Sequence, residues 1–156
     1  MERPFIVENA RERERLRKLV ARMTDEELKL PLGEGWTISS ALAHLAFWDQ
    51  RALVLLRKSK KSGVALSPVD TDTINDALLS LCLALSPRIA ANLAASSAET
   101  IDNELEEAPP ALIAKIEGLG EKYRLYRSEH RKLHLDEIES FLRTRMAQPD
   151  KTLKQT

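Results

Sequence analysis

A single cysteine, Cys82, stands among the 156 residues. A lone thiol excludes an internal disulfide framework and fits a reducing compartment, so the expected location is cytoplasmic. An excess of charge of one sign is missing too: 24 Lys and Arg are offset by 24 Asp and Glu. With no basic field to hold nucleic acid or an anionic bilayer, neither is expected as a partner, and DNA binding is disfavoured. Long apolar runs are absent. The longest, Ala77 to Leu85, is too short to span a membrane, and the opening Met1-Glu-Arg-Pro-Phe5 lacks the apolar run of a secretory signal. Glycine is scarce, with only 5 residues, and no stretch alternates apolar and polar residues as a half-buried strand would. Repeats, low-complexity tracts and linkers are missing as well. The expected organisation is one domain over residues 1–147, large enough to bury a core without disulfides, and a polar tail over 148–156.

What is abundant is Ala, Leu, Glu, Lys and Arg, and the chain reads as all-α. A first helix is expected from about Val7 to Met23, with Ile6, Leu16, Leu19, Val20 and Met23 as its apolar members. Towards the N-terminus its inward phase falls on Arg13, Glu12 and Asn9 instead of leucines. Polar residues at inward positions either line a wet cavity or mark where a helix leaves its bundle. Asn9 and Arg13 are therefore candidate substrate-binding residues. Thr24 to Glu27 has the capping-box pattern of a short extra helix, and Pro31, Gly33 and Gly35 mark a loop. Thr37 suits the N-cap of a second long helix reaching about Lys60, with cations at its negative end and Gly63 as its stop. Helix resumes near Asp72, restarts at Pro87 behind Ser86, and runs to about Glu106. A last helix is expected over roughly Glu121 to Met146. Four long helices with apolar stripes make a four-helix bundle the simplest way to bury them.

The chain has only 3 histidines. His130 and His134 are four apart in a helical stretch, so they share a face. His44 lies on the apolar side of the second helix. Any one of them alone reads as a hydrogen-bonded core histidine or an exposed one. Together, with none elsewhere, they point to a divalent metal gripped by two facing helices, with a position left open for chemistry. Glu137, one turn past His134, is a candidate base or hydrogen-bond acceptor, or else an exposed partner of Arg131 or Lys132. Asp49 and Arg51 follow His44 within two turns. Trp36, Trp48 and Asn75 are candidates to wall a substrate pocket. Cys82, between two leucines, reads as a small core residue.

The stretch Gly35-Trp-Thr-Ile-Ser-Ser-Ala-Leu-Ala-His44-Leu-Ala-Phe-Trp-Asp49 and the closing Glu129-His-Arg-Lys-Leu-His134-Leu-Asp-Glu-Ile138 resemble the two signatures of the DinB/YfiT-like metal-binding bundle superfamily. Element order and length agree over nearly the whole chain. The resemblance implies a four-helix bundle with a long connection between its second and third helices, here at Gly63 to Thr71. It implies His44, His130 and His134 as ligands of a divalent ion, often nickel or zinc, and a homodimer. Some relatives are transferases or isomerases that use a low-molecular-weight thiol such as bacillithiol, mycothiol or glutathione. The resemblance thus implies a small-molecule substrate and a thiol S-transferase. A metal-dependent hydrolase and a non-catalytic, self-associating bundle are the alternatives, because a shared fold does not carry its chemistry along.

Overall fold

A computed structural model describes residues 3–148; the polar tail expected from 148 lies, but for Gln148, outside them. Helix α1 spans Pro4–Arg22, three residues earlier than expected, because Pro4 occupies the first turn, where its missing N–H has no intrahelical acceptor in any case. Its entry is tied to the end of α5 (Pro87–Glu107): the Arg3 guanidinium donates to the carbonyl oxygens of Leu105, Glu106 and Ala108. A cation at that end meets both unpaired carbonyls and the negative pole of the helix. Helix α2 (Asp25–Leu28) carries the expected capping box, Glu27 N–H to Thr24 Oγ1 at 3.1 Å and Thr24 N–H to Glu27 Oε1 at 3.0 Å.

The expected loop at Pro31 to Gly35 contains a small antiparallel pair, β1 (Pro31–Gly33) and β2 (Trp36–Thr37). The expectation of no strand is corrected here. Strands of three and two residues are too short to show an alternating pattern, and the turn depends on positive φ at Glu34 (54°) and Gly35 (86°). The hairpin delivers the chain into α3 (Ile38–Ser62). Thr37 and Ser40 cap that helix reciprocally, and Gly63 with φ 91° ends it.

Helices α1, α3, α5 and α7 (Ser128–Ala147) form the bundle. The closest association is α3 with α5, where Ala90, Ala91, Ala94 and Ala98 are buried. Small residues on one face let two helices approach each other. Helix α4 (Thr71–Ala84) belongs to the long crossover and packs mainly on α3. The crossover therefore runs from Gly63 to Ser86, longer than the expected Gly63 to Thr71. Helix α6 (Pro110–Gly118) and a 3₁₀ turn at Lys122–Arg124 lead into α7. The last helix begins at Ser128 and not near Glu121. Asn9 of α1 holds the break open from across the bundle. Its Nδ2 donates to Leu125 O at 2.8 Å, and its Oδ1 accepts from Ser128 N–H at 2.9 Å.

Two apolar clusters fill the interior, one around Leu16, Leu42, Leu135 and Ile138, the other around Phe5, Leu56, Ile101 and Leu125. Between them on every bundle helix lies a polar step: Asn9 and Glu12 on α1, Asp49 on α3, Asp102 on α5, Arg131 on α7. Arg131 is 0% exposed. It forms a two-pronged pair with Asp102, both N–O distances 2.9 Å, and donates to Asp49 Oδ2 at 3.2 Å and to Asn9 O at 3.3 Å. One guanidinium thus touches all four helices.

Candidate metal centre

Neighbouring residues on a helix point about 100° apart. Arg131 faces the core, so His130 faces sideways, towards α3 and the crossover, and His134 repeats that direction one turn on. From α3 comes His44, which the capped helix start at Thr37 places about two turns in. The three rings meet edge to face, with centroids 4.8 to 5.0 Å apart. His130 Nε2 lies 3.1 Å from His44 Nε2 and 3.2 Å from His134 Nε2. Ligand nitrogens at ordinary bond lengths from one divalent ion are separated by roughly 3.0 to 3.4 Å.

The donor set also needs something at that point. A neutral imidazole nitrogen carries either one proton or one lone pair. His130 Nε2 therefore cannot form good hydrogen bonds with both of its neighbours. A single cation would satisfy all three. Burial favours the ligating form. Desolvation, with help from the ring of His134, pushes the His44 pKa down to about 4. Desolvation, then the rings of His134 and His44 and the guanidiniums of Arg127 and Arg131, push His130 down to about 2. Desolvation lowers His134 as well, against the opposing pull of Glu137. All three are neutral near pH 7, ready to offer lone pairs.

Around this centre, Glu137 Oε2 lies 3.8 Å from His134 Nδ1, on the side away from the shared point. Arg131 and Lys132, its expected surface partners, are engaged elsewhere: Arg131 in the core and Lys132 with Asp136. Trp36 and Trp48 flank the His44 ring at 5.5 and 6.4 Å, both edge-on. Trp48 Nε1–H donates to Asn75 Oδ1 at 3.0 Å, so α4 orients the indole. His44 Nδ1 is buried without a partner.

A cavity of about 680 Å³ opens onto the centre, lined by all three histidines with Trp36, Asn75 and Glu137. Its remaining charged walls, Glu34 and Asp76, are acidic. A second cavity of about 330 Å³ shares Thr71, Asn75 and His130 with the first, and continues past Trp48 to Arg51 and Arg127.

The sequence pattern of the DinB superfamily matches residues 8–149. The chain belongs to the DinB superfamily. No curated protein and no solved structure gives a significant match.

Five of the eight residues singled out beside the histidines or as pocket walls surround this DinB-like centre: Trp36, Trp48, Asn75 and Glu137 as described, with Arg51 on the second cavity. Asn9 and Arg13 lie elsewhere. Asn9 joins α1 to the start of α7, Arg13 pairs with Asp102 at 3.0 Å, and both border a recess of only about 20 Å³. Their inward polarity serves the buried charge layer and not the histidine cavity. Asp49 likewise turns away from His44, to Arg127 at 2.8 Å and Arg131 at 3.2 Å. Arg127 escaped the sequence reading. It precedes the last helix by one residue, and nothing local distinguishes it from the exposed arginines of α1.

Proposed function

We propose that this DinB-superfamily chain is a divalent-metal-dependent enzyme whose ion is held by His44, His130 and His134. The convergence of three neutral imidazole nitrogens on the wall of a 680 Å³ cavity carries the reading. Imidazole donors suit zinc and nickel. Bound there, a divalent ion supplies Lewis acidity and lowers the pKa of a water or thiol in its open position. The chain's own residues do the rest. Glu137, 3.8 Å from His134 Nδ1, is the carboxylate placed to accept from that edge on a small side-chain rotation, which would fix the tautomer with its lone pair on Nε2. Trp36 and Trp48 exclude water from one side and give flat surfaces for a small organic substrate. The reaction class that fits is S-transfer from a low-molecular-weight thiol to a small electrophile, in the cytosol. The cavity supports it by having room for two reactants side by side, with His130 exposed to both halves. The hydrolase alternative uses the same ligands and leaves the smaller cavity without a task.

Metal analysis of the purified protein tests the centre. One equivalent of zinc or nickel is expected, falling at least tenfold in His134→Ala. Equal metal content in the two proteins would remove the centre. A screen of the zinc- and nickel-loaded protein with thiols and a chromogenic electrophile tests the reaction.

A homodimer is also proposed. Leu81, Leu83 and Leu85 at the end of α4 and Ile89 and Leu93 on α5 are all exposed, an unusual concentration for a monomer's surface. Sedimentation should give about twice the 17.6 kDa chain mass, and Leu81→Glu should shift it to the monomer; a wild-type monomer at micromolar concentration would defeat this assembly.

A further inference from the structure

The smaller cavity differs from the larger one in its charge. Arg51 and Arg127 both line it, against a single carboxylate, Glu129. Arg127 is 4% exposed. Its Nε donates to Asp49 Oδ1 and its Nη1 to Tyr123 O, both at 2.8 Å, but its Nη2 is buried with no partner. An unpaired guanidinium nitrogen in the interior is costly. The carboxylate partner of Arg127, Asp49, is shared with Arg131. Arg51 has no carboxylate partner among the described residues. Ser67 O and Oγ hold its Nη2, each at 2.9 Å, and it lies 5.8 Å over the Trp48 ring. Both arginines are thus immobilised before any ligand arrives, and this reduces the ordering cost of binding.

We infer that this cavity is an anion subsite, which takes the carboxylate of a reactant whose other end reaches the histidine centre past His130. A carboxylate fits better than a phosphate for two reasons. The charged side chains lining the cavity are two guanidiniums against one carboxylate, and this single positive excess matches a monoanion. Glu129 would also repel a dianion more strongly. Guanidinium groups pair with carboxylates through planar, two-pronged contacts. Asn75, reached from both cavities, stands where the reactant would pass between them. The inference deepens the proposed transferase reading by specifying an acidic thiol or an acidic electrophile, and rests on that reading for the second half of the reactant only.

The subsite can be tested without the metal. In metal-free protein, propionate should move the Trp48 indole N–H resonance in titrations followed by heteronuclear NMR, while 1-propanol at equal concentration should not. In zinc-loaded protein, 3-mercaptopropionate should bind at least tenfold more tightly than 3-mercapto-1-propanol, and Arg51→Gln should bring the two within twofold of each other. Arg127→Gln should do the same; if it does not fold by circular dichroism, Arg51→Gln decides. Equal affinity of acid and alcohol in the wild-type protein would overturn the subsite, as would a stronger response to phosphate than to propionate. A propionate response in a protein that takes up no zinc would leave the subsite standing and remove the metal centre instead.

Discussion

At the residue scale, position on the helix separates chemistry from packing. His130 and Arg131 are adjacent, yet one faces the cavity and the other lies in the core with no exposed surface. Cys82 shows the same selectivity from the other side. It is buried, and burial pushes its thiol pKa above the ordinary value. The thiolate is the reactive form, so a raised pKa means less of it at any pH below that value. Iodoacetamide at pH 8 should label Cys82 at least tenfold more slowly in the folded protein than in guanidinium. Equal rates, followed by mass spectrometry, would show that the thiol is accessible and ionisable. Asn9 belongs here too. Its amide satisfies Leu125 O and Ser128 N–H, both buried contacts. Asn9→Ala should cost about 1–3 kcal/mol in a denaturant melt, the usual penalty for leaving a buried group unpaired.

At the scale of elements, α7 serves two partners at once. One face carries the histidine pair, and the adjoining face carries Arg131 into the layer between the two apolar clusters. That layer fixes the rotation of α7 about its axis, because only one rotation puts the guanidinium on Asp49 and Asp102 together. The histidines inherit their aim from it. Removing Asp102 (to Asn) or Arg131 (to Met) strands a buried charge, which typically costs about 3–5 kcal/mol. Urea melts should show that loss, and metal content should fall in whatever fraction remains folded. Full stability in Arg131→Met would mean that the layer is replaceable by apolar packing and does not position the site. Helix α4 has the opposite character. It buries only Cys82 and contacts the bundle chiefly through α3, yet it supplies Asn75 to both cavities.

At the scale of the whole molecule, a crossover helix and a two-residue turn enclose a site that the four-helix frame alone would leave open. The hairpin at Pro31 to Thr37 places Trp36 on one side, and α4 places Asn75 and Asp76 on another. The larger cavity has acidic flanks and the smaller has two arginines, so the molecule presents two unlike chambers beside one centre. Its exposed leucines on α4 and α5 lie beyond the described chambers' linings, so the proposed dimer and the reaction can coexist. Among the described residues no helix is long and apolar enough to cross a membrane.

Much of this was legible in the order of residues. Apolar period, caps at Thr24 and Thr37, and the proline at 87 mark helices through local rules, and local rules need only neighbours in the chain. The spacing of His130 and His134 states that they share a face for the same reason. Which residues answer the inward polar positions of α1 was not legible, because Asn9 meets Ser128 and Arg13 meets Asp102 across about 90 to 120 intervening positions. The hairpin was too short to leave a pattern, and the start of α7 is set by Asn9 from another helix. The partition of arginines between core, cavity and surface is decided by packing alone: side chains with the same charge and length take their roles from which carboxylate the fold brings within about 3 Å, the reach of a hydrogen bond.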